Sequence, residues 1–189
     1  MKSESKKILL KLARTAIEKY FEKNKYVETK PEDFLKPGEN YTEINERKGV
    51  FVTLKKKSEL RGCIGTFRED LPLWKIVQEV AISSAFHDPR FPPVSKEEVD
   101  ELEIELSILE PMKEISDISE IILGKHGVYI TRGERGGVLL PQVPQEYGMK
   151  TVEEFLSAVC RKAGLPQDCY KQKGTVIKTF TAEIIEEKR

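Results

Sequence analysis

Two pairs of short apolar segments, each joined by a few polar residues, constrain the fold of this chain more than any other feature. Residues 49–54 and 60–67 are typical of strands, and the polar residues 55–59 connect them as a hairpin. Residues 128–131 and 137–140 form a second such pair across a turn-rich connection. Hairpins in place of regular βαβ units predict an α+β fold, with a mainly antiparallel sheet flanked by helices.

Helix signals separate these strands. Apolar residues recur at helical spacing over residues 5–22, with Lys and Glu on the opposite face. A second helix is predicted to begin after Asp70, which can accept hydrogen bonds from free amides, and to run to about Phe86. Thr151 and Glu154 form the capping box of a third. Residues 175–185 predict a terminal strand.

Length and charge limit the domain count and the partners. A chain of 189 residues suits a single domain over residues 1–189, made of two closely packed subdomains whose boundary the sequence does not fix. Because 32 basic residues balance 32 acidic ones, any nucleic-acid binding must come from a local patch. The sequence has no apolar run of roughly 18 to 20 residues, so we expect no membrane span and a cytoplasmic location. High charge with few Asn and Gln residues suits life at high temperature.

The three cysteines, Cys63, Cys160 and Cys169, are odd in number and include no C-x-x-C pair. This argues against a disulfide framework and against a zinc knuckle, and it predicts three reduced thiols. The two histidines have no nearby cysteine or carboxylate that would complete a transition-metal site, and His126 is more typical of a turn. No metal and no cofactor are predicted.

Residues 60–65, with the sequence Leu-Arg-Gly-Cys-Ile-Gly, carry the strongest chemical signal. Alternate side chains of a strand share a face, so Arg61 and Cys63 are predicted to be neighbours, and a guanidinium would favour a nucleophilic thiolate. Gly62 and Gly65 flank the thiol and suggest an open surface for a ligand. The structural alternative stays open: Cys63 as a small core residue, Arg61 as an ion-pair partner, and glycines that allow sheet curvature.

A proline-rich loop supplies the other candidates. Three prolines in residues 89–93 exclude a helix there, so His87, Asp88 and Arg90 would be held rigidly. A catalytic constellation of Cys63, His87 and Asp88 is one hypothesis, with Arg90 as a fixed cation for a ligand. The alternative is that His87 caps the end of the preceding helix.

Four blocks of sequence resemble the AMMECR-one family: residues 60–65, residues 85–93, residues 139–143 and residues 162–165. They occur in the family's order and span most of the chain. The resemblance implies an α+β domain in which the Leu-Arg-Gly-Cys-Ile-Gly segment lies at a cleft between a larger and a smaller subdomain. It also implies an association with Memo-like and radical-SAM proteins, and it implies no established reaction.

Two function classes follow. The leading hypothesis is an intracellular enzyme, or enzyme component, that binds a small or nucleotide-like substrate near Arg61 and Cys63, in a modification pathway. Cys63, His87 and Asp88 are the catalytic candidates, and Arg61, Gly62, Gly65 and Arg90 are the ligand-binding candidates. The alternative is a non-catalytic module or scaffold that binds a protein or RNA partner.

Overall fold

The computed structural model describes residues 1–35 and 41–187, and these divide between two compact units. Unit 1 comprises Met1–Leu109 and Glu183–Arg189, and unit 2 comprises Glu110–Ala182. The described residues form four α-helices: α1 (Ser3–Lys23), α2 (Leu73–Phe86), α3 (Val143–Glu146) and α4 (Val152–Lys162). Short 3-10 helices lie at Pro31–Asp33, Thr42–Asn45, Lys96–Glu101, Ile118–Glu120 and Cys169–Lys171.

Within the described ranges, eight strands form two four-stranded sheets. They are β1 (Val50–Lys56), β2 (Glu59–Thr66), β3 (Leu102–Leu109), β4 (Lys113–Ile115), β5 (Gly127–Arg132), β6 (Arg135–Leu139), β7 (Val176–Phe180) and β8 (Ala182–Glu186). The strand order is β2-β1-β3-β8 in the sheet of unit 1 and β4-β7-β5-β6 in the sheet of unit 2. Helices beside antiparallel sheets confirm the predicted α+β class.

One face of the unit 1 sheet packs against α1 and α2. Val50, Val52 and Leu54 of β1 point to this face and are fully buried with the apolar sides of both helices. Burial of these stripes is the main stabilising term, at about 25 cal/mol for each Å² of apolar surface removed from water. The amphipathic pattern of residues 5–22 therefore predicted the right helix and the right buried side.

Unit 2 has its own core around α4, which packs on β5 and β6. Its capping box is formed as predicted, because the Thr151 hydroxyl accepts from the Glu154 amide while the Glu154 carboxylate accepts from the Thr151 amide. The single predicted strand over residues 175–185 is wrong, since β7 belongs to the unit 2 sheet and β8 to the unit 1 sheet. Apolar and polar residues alternate without a turn signal there, so the pattern does not show where one strand ends.

A disulfide joins Cys160 to Cys169, with Cα atoms 5.9 Å apart, so the prediction of three reduced thiols is wrong. Gly164 turns the chain after α4 at a φ of 67°, and the Leu165 amide donates to the Cys160 carbonyl. This reversal brings Cys169 back beside the end of the helix. The two cysteines are nine positions apart and meet only because the chain turns after α4, so the sequence has no C-x-x-C spacing that would indicate the pair.

No helix in the described part of the chain is long and apolar enough to cross a membrane.

Residues 36–40, within the irregular segment between α1 and β1, lie outside the described residues.

Candidate functional site

The strand that carries Cys63 is the edge strand β2, and a β-bulge decides which way the thiol points. Lys56 pairs with Glu59 and Lys55 with Leu60 around a two-residue turn, but beyond the bulge Leu54 pairs with Gly62 and Thr53 with Cys63. Arg61 is the extra residue. If Arg61 instead paired regularly with Leu54, Val52 would lie opposite Cys63 and the sulfur would face the helices, because a shift of one residue exchanges the faces of a strand.

The bulge also separates Arg61 from Cys63. The Arg61 guanidinium donates to Glu98 at 3.0 Å and to the carbonyls of Pro92 and Pro93, and Lys56 contacts the same carboxylate. The Cys63 sulfur instead accepts a 3.4 Å hydrogen bond from the Thr53 hydroxyl, on the other face of β1. The prediction that Arg61 and Cys63 are neighbours on one face is therefore wrong, and the ion-pair alternative for Arg61 is confirmed.

Gly62 lies where α2 crosses the sheet. A Cβ atom at this position would lie 2.3 Å from the Ser84 carbonyl oxygen, so only glycine fits between helix and strand. The Ser84 hydroxyl accepts from the Ile64 amide at 3.0 Å and donates to the Val52 carbonyl at 2.8 Å, which links α2 to both strands. The space beside Gly62 is thus filled by helix backbone, and the expected opening for a ligand is absent there.

Asp88 and Arg90 bind the outer edge of β2 in place of another strand, and we call this pair the edge clamp. The Asp88 carboxylate accepts from the Cys63 amide at 2.8 Å, while the Arg90 guanidinium donates to the Cys63 carbonyl at 3.0 Å. The two side chains also pair with each other, at 2.7 and 3.0 Å. Both outward backbone groups of Cys63 are satisfied, which fixes the thiol-bearing residue at an otherwise open edge.

Charge holds the edge clamp and the Arg61 pair in their ionised forms. Hydrogen bonding from Arg90, opposed by burial and aided by the Cys63 amide, lowers the pKa of Asp88 from 3.8 to about 2. Hydrogen bonding from Arg61 and from the Ser95 amide likewise lowers the pKa of Glu98 from 4.5 to about 2. The Asp88 carboxylate accepts four hydrogen bonds, from the Cys63 amide, the Arg90 amide and twice from the Arg90 guanidinium, which fill the roughly four acceptor sites of a carboxylate.

His87 lies at the C-terminal end of α2, where its amide donates to the Ser83 carbonyl at 2.9 Å. Its imidazole is exposed and packs edge-on against the ring of Tyr20 in α1, with ring centroids 6.2 Å apart. Asp88 is bound by Arg90 and Cys63 and not by this imidazole. The structure therefore brings Asp88 and Arg90 to Cys63 but leaves His87 on the side of the helices, so no Cys63, His87 and Asp88 relay is assembled.

The outer face of the unit 1 sheet surrounds the sulfur with polar groups. Cross-strand pairing places Cys63, Thr53 and Glu105 in one row across β2, β1 and β3. Lys55, two residues along β1, forms a 2.7 Å ion pair with Glu105, whose side chain is 6% exposed. In the next row, the Phe51 ring lies over Gly65, 2.2 Å from where a Cβ atom would be. Gly65 thus makes room for an aromatic ring.

A cavity in unit 1 lies away from this face. It has a volume of about 700 Å³, and none of the predicted site residues lines it; its walls are formed by Lys30, Pro31, Glu32, Asp33, Leu35, Tyr41, Ile44, Asn45 and Trp74. Within residues 1–35 and 41–187, no three His, Cys, Asp or Glu side chains are grouped as metal ligands would be. The face with Cys63 is the better candidate because it carries the thiol, a hydroxyl and a buried ion pair together.

Acid should lower the free energy of unfolding, because it protonates the Asp88 and Glu98 carboxylates. Both folded pKa values, about 2, lie below the usual values of 3.8 and 4.5, so both carboxylates add stability above pH 4.5 and lose it as the pH falls towards 2. We expect the free energy of unfolding in urea to stay level from pH 7 to 5 and then to fall by about 2 kcal/mol for each group.

The variant Glu98→Gln separates one contribution from the general effect of acid. The free energy of unfolding of Glu98→Gln should be lower than that of the wild-type protein at pH 7, and this difference should shrink as the pH approaches 2. A deficit of the same size at both pH values would contradict the assignment of that pKa to Glu98.

Together, the fold and this site define an α+β protein with two antiparallel-sheet units and a thiol held on a clamped edge strand. The sequence pattern of the AMMECR1 family matches residues 10–185, and the chain belongs to that family. A protein of Methanopyrus kandleri is 43% identical over 97% of this chain and 89% of its own length. A protein of Aquifex aeolicus is 47% identical over 147 residues, covering 74% of this chain and 75% of the relative.

A solved structure shows the same fold. The crystal structure of an uncharacterised protein from Pyrococcus horikoshii superimposes with a TM-score of 0.89 at 42% identity, covering 100% of this chain and 94% of that one. The names of these three relatives state no activity, so the function has to be argued from the site.

Proposed function

We propose that the chain is a thiol-dependent enzyme, or the thiol-bearing component of one, in which Cys63 is the nucleophile. One observation carries the proposal: a half-exposed cysteine sulfur accepts a hydrogen bond from Thr53 while its own backbone is held on the outer side by the edge clamp. A structural cysteine needs neither a donor to its sulfur nor a fixed edge. Nucleophilic catalysis benefits from both, because the donor stabilises a sulfur anion and the fixed backbone aims it.

The surrounding groups suit group transfer through the sulfur. The thiolate would attack an electrophilic carbon of the substrate, forming a C–S bond as the leaving group departs with its bonding electron pair. A second nucleophile would then attack the same carbon and release the thiolate. The Arg90 guanidinium, 52% exposed while it holds the Cys63 carbonyl, is placed to attract an anionic group of the substrate. Lys55, with Glu105, offers an ammonium proton on the same face.

Alkylation tests the proposal directly, because Cys160 and Cys169 are paired and Cys63 is the free cysteine of the described chain. At pH 7 we expect iodoacetamide to modify one thiol per chain, several times faster than it modifies glutathione. Thr53→Val removes the hydroxyl with little change of shape and should slow the reaction about threefold to tenfold. Mass spectrometry of the modified peptide measures both rates.

The matched control is Thr131→Val, a half-buried strand threonine of unit 2, which should leave the rate unchanged. Alkylation of Cys63 no faster than glutathione, or at the same rate in Thr53→Val, would contradict a nucleophilic role.

The competing function is a non-catalytic interaction module. It is favoured by the fact that Arg61, Gly62, Gly65, Asp88 and Arg90 all bind or pack against the chain itself. In that case these residues serve to build the edge of the sheet. The variant Cys63→Ser would then retain every function of the protein in the cell. If Cys63→Ser loses function while its stability is unchanged, the result supports the proposal that the protein is a thiol-dependent enzyme.

The cellular setting is part of the same proposal. We propose a cytoplasmic protein stable at high temperature, acting with a Memo-like or radical-SAM partner. The Cys160–Cys169 disulfide agrees with such a setting, because intracellular proteins of hyperthermophiles are an exception to the rarity of cytosolic disulfides. A pull-down from cells of the source organism that recovers neither partner class would argue against the association.

A further inference from the structure

We infer that unit 2 carries a binding surface for the phosphate backbone of a nucleic acid, independent of Cys63. Six cations form this surface, which we call the basic patch: Arg132, Arg135, Arg161, Lys162, Lys171 and Lys173. They come from three segments, namely the β5–β6 hairpin, the last turn of α4, and the turn that begins at Cys169 and leads into β7.

Direct contacts bring the three segments together. The Arg135 guanidinium donates to the Gly164 carbonyl at 2.7 Å, which fixes the hairpin beside the end of α4. Arg132 donates to the side chain of Gln172, which fixes the same hairpin beside the third segment. The Cys160–Cys169 disulfide joins the third segment to α4. The cations therefore belong to one surface, although up to 41 positions separate them in the sequence.

Five cations of the basic patch, Arg132, Arg135, Arg161, Lys171 and Lys173, form no ion pair with the described residues. Residues 131–136 and 160–174 contain six cations and two carboxylates, Glu134 and Asp168, although the whole chain has a net charge of zero. In unit 1, Arg14, Arg61, Arg68 and Arg90 each form an ion pair with a carboxylate. Among the described residues, Arg132, Arg135 and Arg161 form none. Such a local excess attracts polyanions where a neutral chain would not.

The chemistry of the patch favours a phosphate backbone over a lipid surface. Exposed guanidinium groups bind phosphate oxygens with two parallel hydrogen bonds. Membrane-surface binding needs apolar anchors beside the charges, and the large exposed apolar side chains of the described chain lie outside all three segments. Gly133, Gly164 and Gly174 each border open space, so no side chain of their own blocks a strand of phosphates from the cations.

Fluorescence anisotropy with a labelled 15-nucleotide oligouridylate tests the inference. For the full chain at low salt we expect micromolar affinity that falls with salt, with a slope of about −0.7 in log affinity for each phosphate neutralised. The variant Arg161→Gln, Lys171→Gln, Lys173→Gln should bind at least tenfold more weakly, and its slope should be about 2 less steep. These three side chains are exposed and make no ion pair, so the fold should not change.

A variant of unit 1 controls for net charge. Lys23→Gln, Lys25→Gln, Lys96→Gln removes the same three charges from exposed, unpaired lysines and should keep wild-type affinity and slope. The inference is overturned if this control weakens binding as much as the patch variant does, or if the patch variant binds like the wild-type protein. It is also overturned if a polyglutamate peptide of 15 residues binds as tightly as the RNA, because the surface would then fit an acidic protein. Cys63→Ser should bind RNA normally, which separates this surface from the proposed thiol site.

Discussion

Replacing Gly62 with alanine is expected to destabilise unit 1 by more than about 3 kcal/mol, and it should be the most damaging single-methyl change in the strand that carries Cys63. The new Cβ atom would lie 2.3 Å from the Ser84 carbonyl oxygen and 3.3 Å from the Ser84 carbonyl carbon. Both atoms belong to the backbone of α2, which is held against the sheet by a buried core and by the two hydrogen bonds of the Ser84 hydroxyl. No rotation of a side chain can relieve the contact, so the helix would have to move. Urea unfolding at pH 7 measures the loss.

Gly65→Ala is the matched control for Gly62→Ala. Its Cβ atom would approach the Phe51 ring even more closely, at 2.2 Å, but a ring can turn away where a helix backbone cannot. We expect a loss of about 1 to 2 kcal/mol from Gly65→Ala. Combining it with Phe51→Ala should cost less than the sum of the two single losses, because the ring is the only part of Phe51 that collides.

The ranking of the two glycine variants is the decisive comparison. If Gly62→Ala proves as mild as Gly65→Ala, the helix is not pressed against β2 as described. Gly62 would then be available for the ligand contact that its place in the motif suggests. If Gly62→Ala destabilises the protein clearly more than Gly65→Ala does, both glycines serve packing, and Cys63 remains the reactive residue of the motif.

Periodicity predicted the elements of this fold well and their partners poorly. The 3.6-residue pattern located α1, and alternation located both hairpins, because burial of one face is a local property of the sequence. Asp70 was wrong as the cap of α2: its carboxylate pairs with Arg68 instead, and Pro72 precedes the helix. Sheet membership and the Cys160–Cys169 pairing depend on which distant segment lies nearby, and no local pattern encodes that.

The candidate site shows the same limit at atomic scale. The segment around Cys63 and the proline-rich loop were both identified, and the structure joins them through the Asp88 and Arg90 hydrogen bonds. The single extra residue at Arg61 then reversed the expected faces, so Thr53 replaced Arg61 as the neighbour of the sulfur. A bulge leaves no reliable trace in one sequence, since the same residues also fit a regular strand.

Ser84 and Glu98 were missed as parts of the site for a related reason. Ser84 and Gln78 are the two polar residues among the buried residues of α2, and a polar residue on the buried side of a helix is the signal that could have found Ser84. Glu98 forms a capping box with Ser95, and its ion pair with the distant Arg61 has no local signal in the sequence.

Reduction of the Cys160–Cys169 disulfide is expected to destabilise unit 2 by about 2 to 3 kcal/mol and to lower the melting temperature by roughly 5 to 10 °C. The two cysteines are nine positions apart, so the bond restrains a short loop of the unfolded chain. Both cysteine side chains are fully buried beside Phe155 and Val159. Reduction also removes the covalent link that holds the segment after Cys169 beside α4. Thermal unfolding of one preparation with and without a phosphine reductant measures the effect, and mass spectrometry confirms which form is present.

Comparing two redox forms of the same sequence avoids the cavity that Cys160→Ala and Cys169→Ala would leave in the core. Cys63→Ser is the control, and reduction should lower its melting temperature by the same amount, because Cys63 takes no part in the bond. Hydrogen exchange should place the loss of protection in α4 and β7 and spare β1 and β2. Equal melting temperatures for the oxidised and reduced forms would mean that the core around α4 holds the loop unaided. A shift in wild type that disappears in Cys63→Ser would instead mean that Cys63 exchanges with the pair, which would make the proposed nucleophile a redox thiol.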